Sequence, residues 1–403
     1  DRQSTVDLSV PNPGEPGKIG ALIFAGHNGV PSTFRPVAFA MEPRISLSWT
    51  PPKMPGTVFR ASYSRSYSQI PIYYGQWGTQ GFTGIRTFLS PNPQLEPSTR
   101  LSEGVPAPEF PLPDLRPEAA NDTIAHLIPR DHRLPQYDYY QFSVERQLPW
   151  GLILRSVAGR TRGRNVLVSN SVANWNAIPI GALQFRDQLN DEDFNRAARP
   201  YPQFRGFDVY SSYPGGWNND DYAYVTAEKR ASSGLTLSGQ YRFAKSMDNN
   251  SSGAQDFHNL DKERALSTYH RPHRLSMTYS YDLPGSLLRF VPGWASKVLA
   301  DGWTISGSSQ VYSGDPVRLR PTFNNTGRVI QYLRVNQVPG VSPFVENQGP
   351  SLWFNPAAFD QPPAFTIGNV GRTHPNLLNP PYQNHDLSVR KRFPLSTDRS
   401  IEL

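Results

Sequence analysis

Two stretches of the chain alternate strictly between apolar and polar positions. In residues 235–243 every second position is Leu, Gly, Tyr or Phe, and the positions between them are Thr, Ser, Gln and Arg. Residues 275–283 repeat the pattern, with Leu, Met and Tyr alternating with Ser, Thr and Asp. Successive side chains of a β-strand point to opposite faces, so each stretch predicts a strand with one apolar and one polar surface. Each is about nine residues long, the length that a tilted strand needs to cross a bilayer.

The same alternation predicts five pairs of strands along the chain. The pairs comprise residues 44–49 with 58–67, 140–145 with 152–161, 222–230 with 235–245, 274–283 with 302–312, and 387–393 with 401–403. The turns within most pairs are short, whereas the connections between pairs are long, at about 68–139, 162–221, 246–273 and 313–386. Unstructured loops of this length are uncommon in a compact domain, whereas short turns alternating with long loops are typical of an outer-membrane β-barrel.

One connection within a pair departs from this pattern. Residues 286–300 contain three leucines, a phenylalanine and a tryptophan among polar positions. We interpret them as a short amphipathic helix in a periplasmic turn at the membrane surface. A helix packed on a soluble sheet is the alternative.

Alternation alone does not decide which way the apolar faces point. They face lipid in a membrane barrel and the protein core in a soluble β-sandwich. The strand length, the asymmetry of the loops and aromatic residues near strand ends, such as Tyr139, Trp150, Tyr281 and Trp303, favour the barrel. A soluble sandwich or propeller stays open as an alternative, although no repeat of roughly 40–50 residues supports a propeller.

Composition narrows the function classes. Hydrophobic residues make up 37% of the 403 positions, and the mean hydropathy is −0.53. No run of roughly 18 apolar residues is present, which excludes a transmembrane helix but not a barrel strand, where only every second residue needs to be apolar. The absence of cysteine excludes disulfides and cysteine-based metal sites. The net charge of +7 comes from Lys and Arg that form no stripe, so nucleic acid is not an expected partner.

A series of short motifs carries a family resemblance. The motifs are RPYPQF at 199–204, EKR at 228–230, YRFAKSMDN at 241–249, HRL at 273–275, YDLP at 281–284, GW at 302–303, SGDP at 313–316, WFNPAAF at 353–359, GNVGR at 368–372 and DLSVRKRF at 386–393. In this order they resemble the barrel region of the Oar-like TonB-dependent outer-membrane receptors, best over residues 138–403. His270 departs from the family pattern, which has an acidic residue before this strand start.

The resemblance implies a barrel of about 22 strands with a plug inside it and an N-terminal carboxypeptidase-regulatory-like domain. We therefore expect an all-β fold, in which residues 1–403 form an antiparallel up-and-down transmembrane β-barrel portion of about ten or eleven strands with long extracellular loops. The chain begins at Asp1 and ends at what looks like the start of a strand, so we expect a fragment that lacks the plug and the closing strands. An open, curved sheet is then expected.

The resemblance also implies a function and partners. The expected role is ligand capture and energy-coupled uptake in the bacterial outer membrane. The expected partners are outer-membrane lipid, the TonB energy-transducing complex, reached through a missing N-terminal segment, and a small-molecule, peptide or glycan ligand. A passive porin or surface-adhesion barrel, and a soluble β-rich carbohydrate-binding protein, are the alternatives.

No stretch of the sequence predicts catalysis, a cofactor or a metal. Nucleophile-elbow, zinc-protease, P-loop and dinucleotide motifs are all missing, so we expect no enzyme activity. His270 and His273 would face opposite sides of a strand, which disfavours a shared metal. The acidic groups at 191–193 and 218–221 are oxygen-rich and suit calcium, but neither has the spacing of an EF-hand.

Aromatic residues in two of the long loops are the candidate ligand contacts. They are Tyr73, Tyr74, Trp77, Trp175, Tyr213 and Trp217. Flat rings beside glycines suit stacking on sugars, peptides or siderophore-like ligands. An aromatic girdle or packing between loops is the alternative. On the polar strand face, Gln141, Glu145, Arg155, Gln240 and Arg242 would suit a wet lumen around a plug.

Overall fold

The computed structural model of the chain divides into two compact units. The residues that the structure describes are 3–31, 39–68, 80–82, 88–90, 92, 95–100, 102, 104, 113–128, 133–168, 174–209, 213–232, 234–284, 301–327, 329–394 and 399–403. The first unit comprises Asp1–Phe39, Gln69–Leu134 and Leu167–Pro214, and the second comprises Ala40–Ser68, Pro135–Val166 and Gly215–Leu403.

Strands dominate the described residues. In chain order they are β1 (Ser4–Pro11), β2 (Ile19–Phe24), β3 (Arg44–Trp49), β4 (Thr57–Tyr67), β5 (Ile124–Leu127), β6 (Gln136–Leu148), β7 (Leu152–Val168), β8 (Gly206–Val209), β9 (Tyr213–Ser232), β10 (Leu235–Asp248), β11 (Ala265–Leu266), β12 (His273–Asp282), β13 (Trp303–Tyr312), β14 (Asn336–Gln337), β15 (Phe359–Asp360), β16 (Tyr382–Pro394) and β17 (Ser400–Glu402). The α-helix α1 (Glu192–Ala197) and 3-10 turns at Pro149–Gly151, Ile180–Asn190, Leu260–Glu263 and Pro356–Ala358 accompany them. None of the described helices is long and apolar enough to span a membrane. The amphipathic helix predicted at 286–300 lies outside the described residues.

Eleven strands form one large sheet, which belongs almost wholly to the second unit. Its order is β17–β16–β13–β12–β10–β9–β7–β6–β4–β3, and β11 pairs with the end of β10. The pairs are antiparallel hairpin neighbours, as in β3–β4, β6–β7 and β9–β10. The predicted antiparallel up-and-down sheet of ten or eleven strands is therefore confirmed. Strands β3 and β17 end the pairing path and do not pair with each other, so the sheet is open over the residues that the structure describes.

The strand register places apolar residues of neighbouring strands on one shared face. Leu47 lies opposite Ala61, and Ala61 lies opposite Phe142. This face is exposed, since Leu47 keeps 67%, Phe142 50% and, at the other side of the sheet, Leu387 67% of its accessible surface. These apolar rows are not buried under a second layer of structure, as a soluble sandwich would require. Their exposure agrees with a face that contacts lipid.

The strands extend further than the alternation predicts. β7 ends at Val168 rather than at position 161, β9 begins at Tyr213 rather than at 222, and β10 continues to Asp248. The extra residues of β9 pair with β10 from Asn218–Asp248 to Asp221–Lys245. Beyond the apolar band apolar and polar residues no longer alternate, as in RGRN at 162–165 and NNDD at 218–221, so the period of two disappears from the sequence although the ladder continues.

The first unit has a small hydrophobic core of its own. Its strands form the antiparallel hairpin β1–β2 and the parallel pair β5–β8. The core residues are Val6, Leu22, Phe24, Ala120, Ala125, Leu127, Phe204 and Phe207. Parts of the connections predicted as loops at 68–139 and 162–221 thus contain β5, β8 and α1. The alternation did not reveal β5 and β8 because each is only four residues long.

Candidate functional site

The polar face of the large sheet carries all five residues that the sequence assigned to a wet lumen. Glu145 lies opposite Arg155 across β6 and β7, and Gln141 is on the same face four residues earlier. The Gln141 amide donates to the Tyr224 hydroxyl at 3.2 Å, and Tyr224 lies opposite Arg242. Gln240 lies two residues before Arg242 on β10, so one continuous polar surface runs from β6 to β10.

Most of the charges on this surface are paired within it. Arg60 Nη1 is 3.1 Å from Glu145 Oε2, and Arg242 is hydrogen-bonded to Asp220. The Ser246 hydroxyl donates a second hydrogen bond to Asp220. Such pairing keeps charged side chains ordered along a hydrated wall without a large net charge.

Two arginine side chains on the polar face retain unused donors. Arg155 Nε and Arg274 Nε are buried from solvent and make no hydrogen bond within the described part of the chain. Arg274 lies opposite Arg242 on the neighbouring strand, so both belong to the same surface as Gln240. A guanidinium presents five donors and no acceptor, so these groups are suited to carbonyl or carboxylate oxygens.

The structure brings together only part of the predicted ligand contacts. Trp175 and Tyr213 pack edge to face at 4.9 Å between ring centroids, and both rest against the core of the first unit. Trp217 belongs to the second unit, where the Arg264 guanidinium lies 5.7 Å from its ring. Tyr73, Tyr74 and Trp77 lie outside the described residues. The six aromatic residues stay a predicted set.

The candidate metal ligands have other partners. The ring of His270 accepts the backbone N–H of Ser246 through Nδ1 at 3.2 Å, whereas His273 Nδ1 lies 2.7 Å from the Tyr241 hydroxyl. Burial lowers the pKa of His270, which agrees with a neutral imidazole in this position. Asp191 accepts the backbone N–H of Phe194 at 2.9 Å as the N-cap of α1.

The acidic group at 218–221 is also engaged by cations. Asp220 pairs with Arg242, and Asp221 accepts two hydrogen bonds from Arg160. These carboxylates neutralise strand arginines, and no group of three or more candidate metal ligands converges in the described part of the chain.

A buried polar network ties two long connections of the second unit together. Arg372 donates to the side chain and backbone carbonyl of Asp248, to the Ser251 hydroxyl at 2.7 Å and to the backbone carbonyl of Glu263 at 3.2 Å. Arg334 forms an ion pair with the Glu263 carboxylate. Burial lowers the pKa of Arg334, and the adjacent Glu263 carboxylate opposes that effect.

Gln255 lies at the centre of this network. Its carbonyl oxygen accepts the backbone N–H of Arg334 at 2.9 Å and that of Gly368 at 3.3 Å, and its amide donates to the Gly368 carbonyl at 3.0 Å. Sequence reasoning identified 368–372 as a family motif but did not identify this role. The motif can be read from the sequence, but the burial of its charged side chain depends on contacts with residues more than 100 positions away in the chain.

An exposed apolar face, a polar face and an up-and-down hairpin order together define a transmembrane β-barrel protein. The family described as "Outer membrane beta barrel domain" matches residues 1–403, and the chain belongs to this family. Its place is therefore the bacterial outer membrane, as predicted from the sequence. A soluble carbohydrate-binding protein does not agree with this membership. No curated protein matches the chain.

Two solved structures are similar to the chain at low identity. One is the outer membrane transporter YddB from Escherichia coli, with 8% identity and a TM-score of 0.36 over 83% of this chain and 32% of that one. The other is the ferric-catecholate import receptor Fiu from E. coli K12, in its closed form, with 11% identity and a TM-score of 0.33 over 74% of this chain and 30% of that one. The chain thus spans less than a third of the length of either structure.

Proposed function

We propose that the chain is part of the barrel of an Oar-like TonB-dependent outer-membrane receptor that captures a ligand at the cell surface and imports it. The observation that carries the proposal is the polar face from β6 to β12. Its charges are mostly paired, and Arg155 and Arg274 retain donors. A barrel of about 22 strands encloses a lumen wide enough for a plug, and such a surface suits a folded polar plug.

In this proposal the barrel performs no bond chemistry. The long connections bind the ligand, and the TonB complex delivers the energy that displaces the plug. The segments that contact TonB and form the plug would lie outside this chain. The buried network around Arg372 supports the proposal because it holds two long connections in one arrangement, and a receptor surface needs ordered loops to recognise a ligand.

Aromatic side chains of the long connections, together with Tyr213 and Trp217 at the start of β9, are the proposed ligand contacts. The rings of Trp175 and Tyr213 pack against each other, and the Arg264 guanidinium lies beside the ring of Trp217. Tyr73, Tyr74 and Trp77 complete the proposed set. A thermal-shift screen of the full-length protein against a ferric catecholate, a maltooligosaccharide and a short peptide tests three ligand classes, with Trp217→Ala expected to weaken the response to the cognate class.

Planar-bilayer recordings of the full-length protein distinguish the receptor from a passive porin. A plugged receptor is expected to remain closed to ions and to conduct after the segment that precedes this chain is deleted. Stepwise conductance of the undeleted protein would instead establish a porin. Co-purification with the periplasmic domain of TonB gives an independent readout, and a closed barrel that does not retain TonB would favour a surface-adhesion role.

A further inference from the structure

A group of basic residues lies on the lipid-facing side of the sheet, above the apolar band. Arg160 and Arg162 of β7, Lys245 of β10 and Arg264 line one open cavity of about 310 Å³ with Asp221. Arg160 lies opposite Tyr140, and Lys245 is two residues beyond Phe243, so their side chains share the apolar face rather than the polar one. We call these four cations the basic rim.

The basic rim has an excess of positive charge. Arg160 is engaged by Asp221, and the Arg264 guanidinium lies beside Trp217. Arg162 and Lys245 are exposed and have no ion-pair partner among the described residues. Four cations against one carboxylate leave a net charge of +3 in one small cavity, and an arginine guanidinium matches phosphate oxygens in geometry.

An apolar groove begins directly below the basic rim. A cavity of about 320 Å³ is lined by Phe142, Ala158, Ala223, Tyr241 and Phe243. Ala158 and Ala223 lie on the two inner strands, opposite Phe142 of β6 and Phe243 of β10, so small side chains lie between larger rings. A third cavity of about 590 Å³ shares Phe142 and Ala158 with this groove and Arg160 and Arg162 with the basic rim. The three cavities therefore form one continuous surface with a cationic end and an apolar end.

The position along the strands fixes which side of the membrane the basic rim occupies. It lies where β7 and β10 lead into long connections, and long connections of outer-membrane barrels are extracellular. On β10 the apolar positions from 235 to 243 cover about 27 Å at the rise of an extended strand, close to the height of a lipid-exposed band. The rim then lies at the headgroup level of the outer leaflet.

We propose that this surface is a binding site for a phosphorylated, acylated lipid of the outer leaflet. The basic rim binds the phosphate, and the groove across β6–β10 accommodates an acyl chain. The argument for this occupant is complementarity, because an anionic headgroup meets the cations at the depth where hydrocarbon begins. The inference requires that the sheet faces lipid and does not depend on transport or on TonB.

The same face supplies a matched control. Arg146 of β6 and Lys229 of β9 lie on the lipid-facing side at the opposite, short-turn end of the strands. The double variant R146Q/K229Q therefore removes the same residue types from the same face as R162Q/K245Q. None of these four residues forms an ion pair within the described residues, so neither variant leaves a carboxylate unpaired.

The test uses the full-length protein in a neutral detergent with fluorescent diphosphorylated lipid A as the probe. R162Q/K245Q is expected to weaken binding about tenfold or more, and R146Q/K229Q less than twofold. Ala223→Phe, which fills the groove, is expected to weaken binding of the acylated probe. If the acyl chain contributes to binding, inorganic phosphate at millimolar concentration should compete poorly with the lipid A probe. Full competition by phosphate would show that the site binds phosphate alone and would overturn the lipid proposal.

An equal loss of lipid A binding in the two double variants would show nonspecific charge attraction and would overturn the proposal. Unchanged lipid A binding in both variants would also overturn it. Heat-modifiable gel migration establishes that each variant is folded. Lys245→Gln alone, which disturbs no ion pair, provides the comparison if a double variant does not fold, and unchanged binding by that variant would contradict the site.

Discussion

The guanidinium of Arg372 is hydrogen-bonded to the carboxylate of Asp248, although 124 residues separate them in the chain. Asp248 is the last residue of β10, and Arg372 lies in the connection between β13 and β16. Both side chains are almost fully buried. The pair therefore holds a long connection against the end of a sheet strand. Because both charges are buried, each one is stabilised by the other.

We expect Arg372→Met to destabilise this region strongly. Asp248 would remain buried without its partner, which costs about 3–5 kcal/mol in comparable pairs. Amide hydrogen exchange of the folded full-length protein should show faster exchange in residues 249–272 and 329–381. Arg318→Met in the same connection is the control, because Arg318 is exposed and forms no ion pair within the described residues.

The double variant D248N/R372M should recover part of the lost protection, since it removes both charges together. Additive losses in the double variant would contradict a direct coupling between the two side chains.

Gly368 has no room for a side chain. A Cβ atom there would lie 2.2 Å from the backbone oxygen of Arg334 and 2.6 Å from that of Val335. Gly368→Ala is therefore expected to lower the free energy of unfolding of the network by about 1–3 kcal/mol through a forced backbone shift. Gly349→Ala, where a Cβ would meet nothing within 4 Å, is the matched control. Limited proteolysis should cleave the first variant faster than the second, and equal rates would contradict the steric argument.

The sheet was predictable because its physical signal is local. Each strand repeats every two residues, and residues 235–243 and 275–283 carry that repeat without interruption. The same signal fails beyond the apolar band, where apolar and polar residues no longer alternate, so the end of β7 is predicted seven residues too early and the start of β9 nine residues too late. Sequence alternation therefore located the lipid-facing band and not the full length of the ladder.

The buried network and the basic rim were not predictable in this way. Glu263 and Arg334 look like ordinary surface charges in the sequence, and only the fold shows that they are buried. Arg162 and Lys245 are far apart in the chain and meet because β7 and β10 both border β9. Sites assembled from several strands depend on register, which a single sequence specifies only indirectly.

His374 predicts a pH response in the connection between β13 and β16. Its Nδ1 accepts the backbone N–H groups of Asn376 at 3.1 Å and Leu377 at 2.9 Å, and burial lowers its pKa below the ordinary value of 6.5. When the connection opens locally, the His374 imidazole becomes solvated and binds a proton more readily than it does in the folded state. Local stability is therefore expected to decrease as the pH falls below about 6.5 and to level off below the depressed pKa.

Hydrogen exchange of the amides of Asn376 and Leu377, corrected for intrinsic rates, should show lower protection at pH 5 than at pH 7.5. His374→Asn should reduce this difference, because the new side chain does not titrate. His385→Asn should retain it, since His385 is exposed on β16. Equal protection of the parent protein at both pH values would contradict the assignment of a neutral, accepting imidazole.

The orientation of the large sheet can be tested with one neighbouring pair of residues. Leu387 and Ser388 of β16 are both exposed, and they lie opposite Gly307 and Ser306 on the two faces of β13. The chain has no cysteine, so each substitution introduces the one reactive thiol within residues 1–403. In outer membranes, Ser388→Cys should react with a small charged thiol reagent, whereas Leu387→Cys should react only with a lipid-soluble one. The two positions are adjacent on one strand and point to opposite faces, so the reverse pattern would mean that the apolar face is in water and that the assignment of the lipid side is wrong.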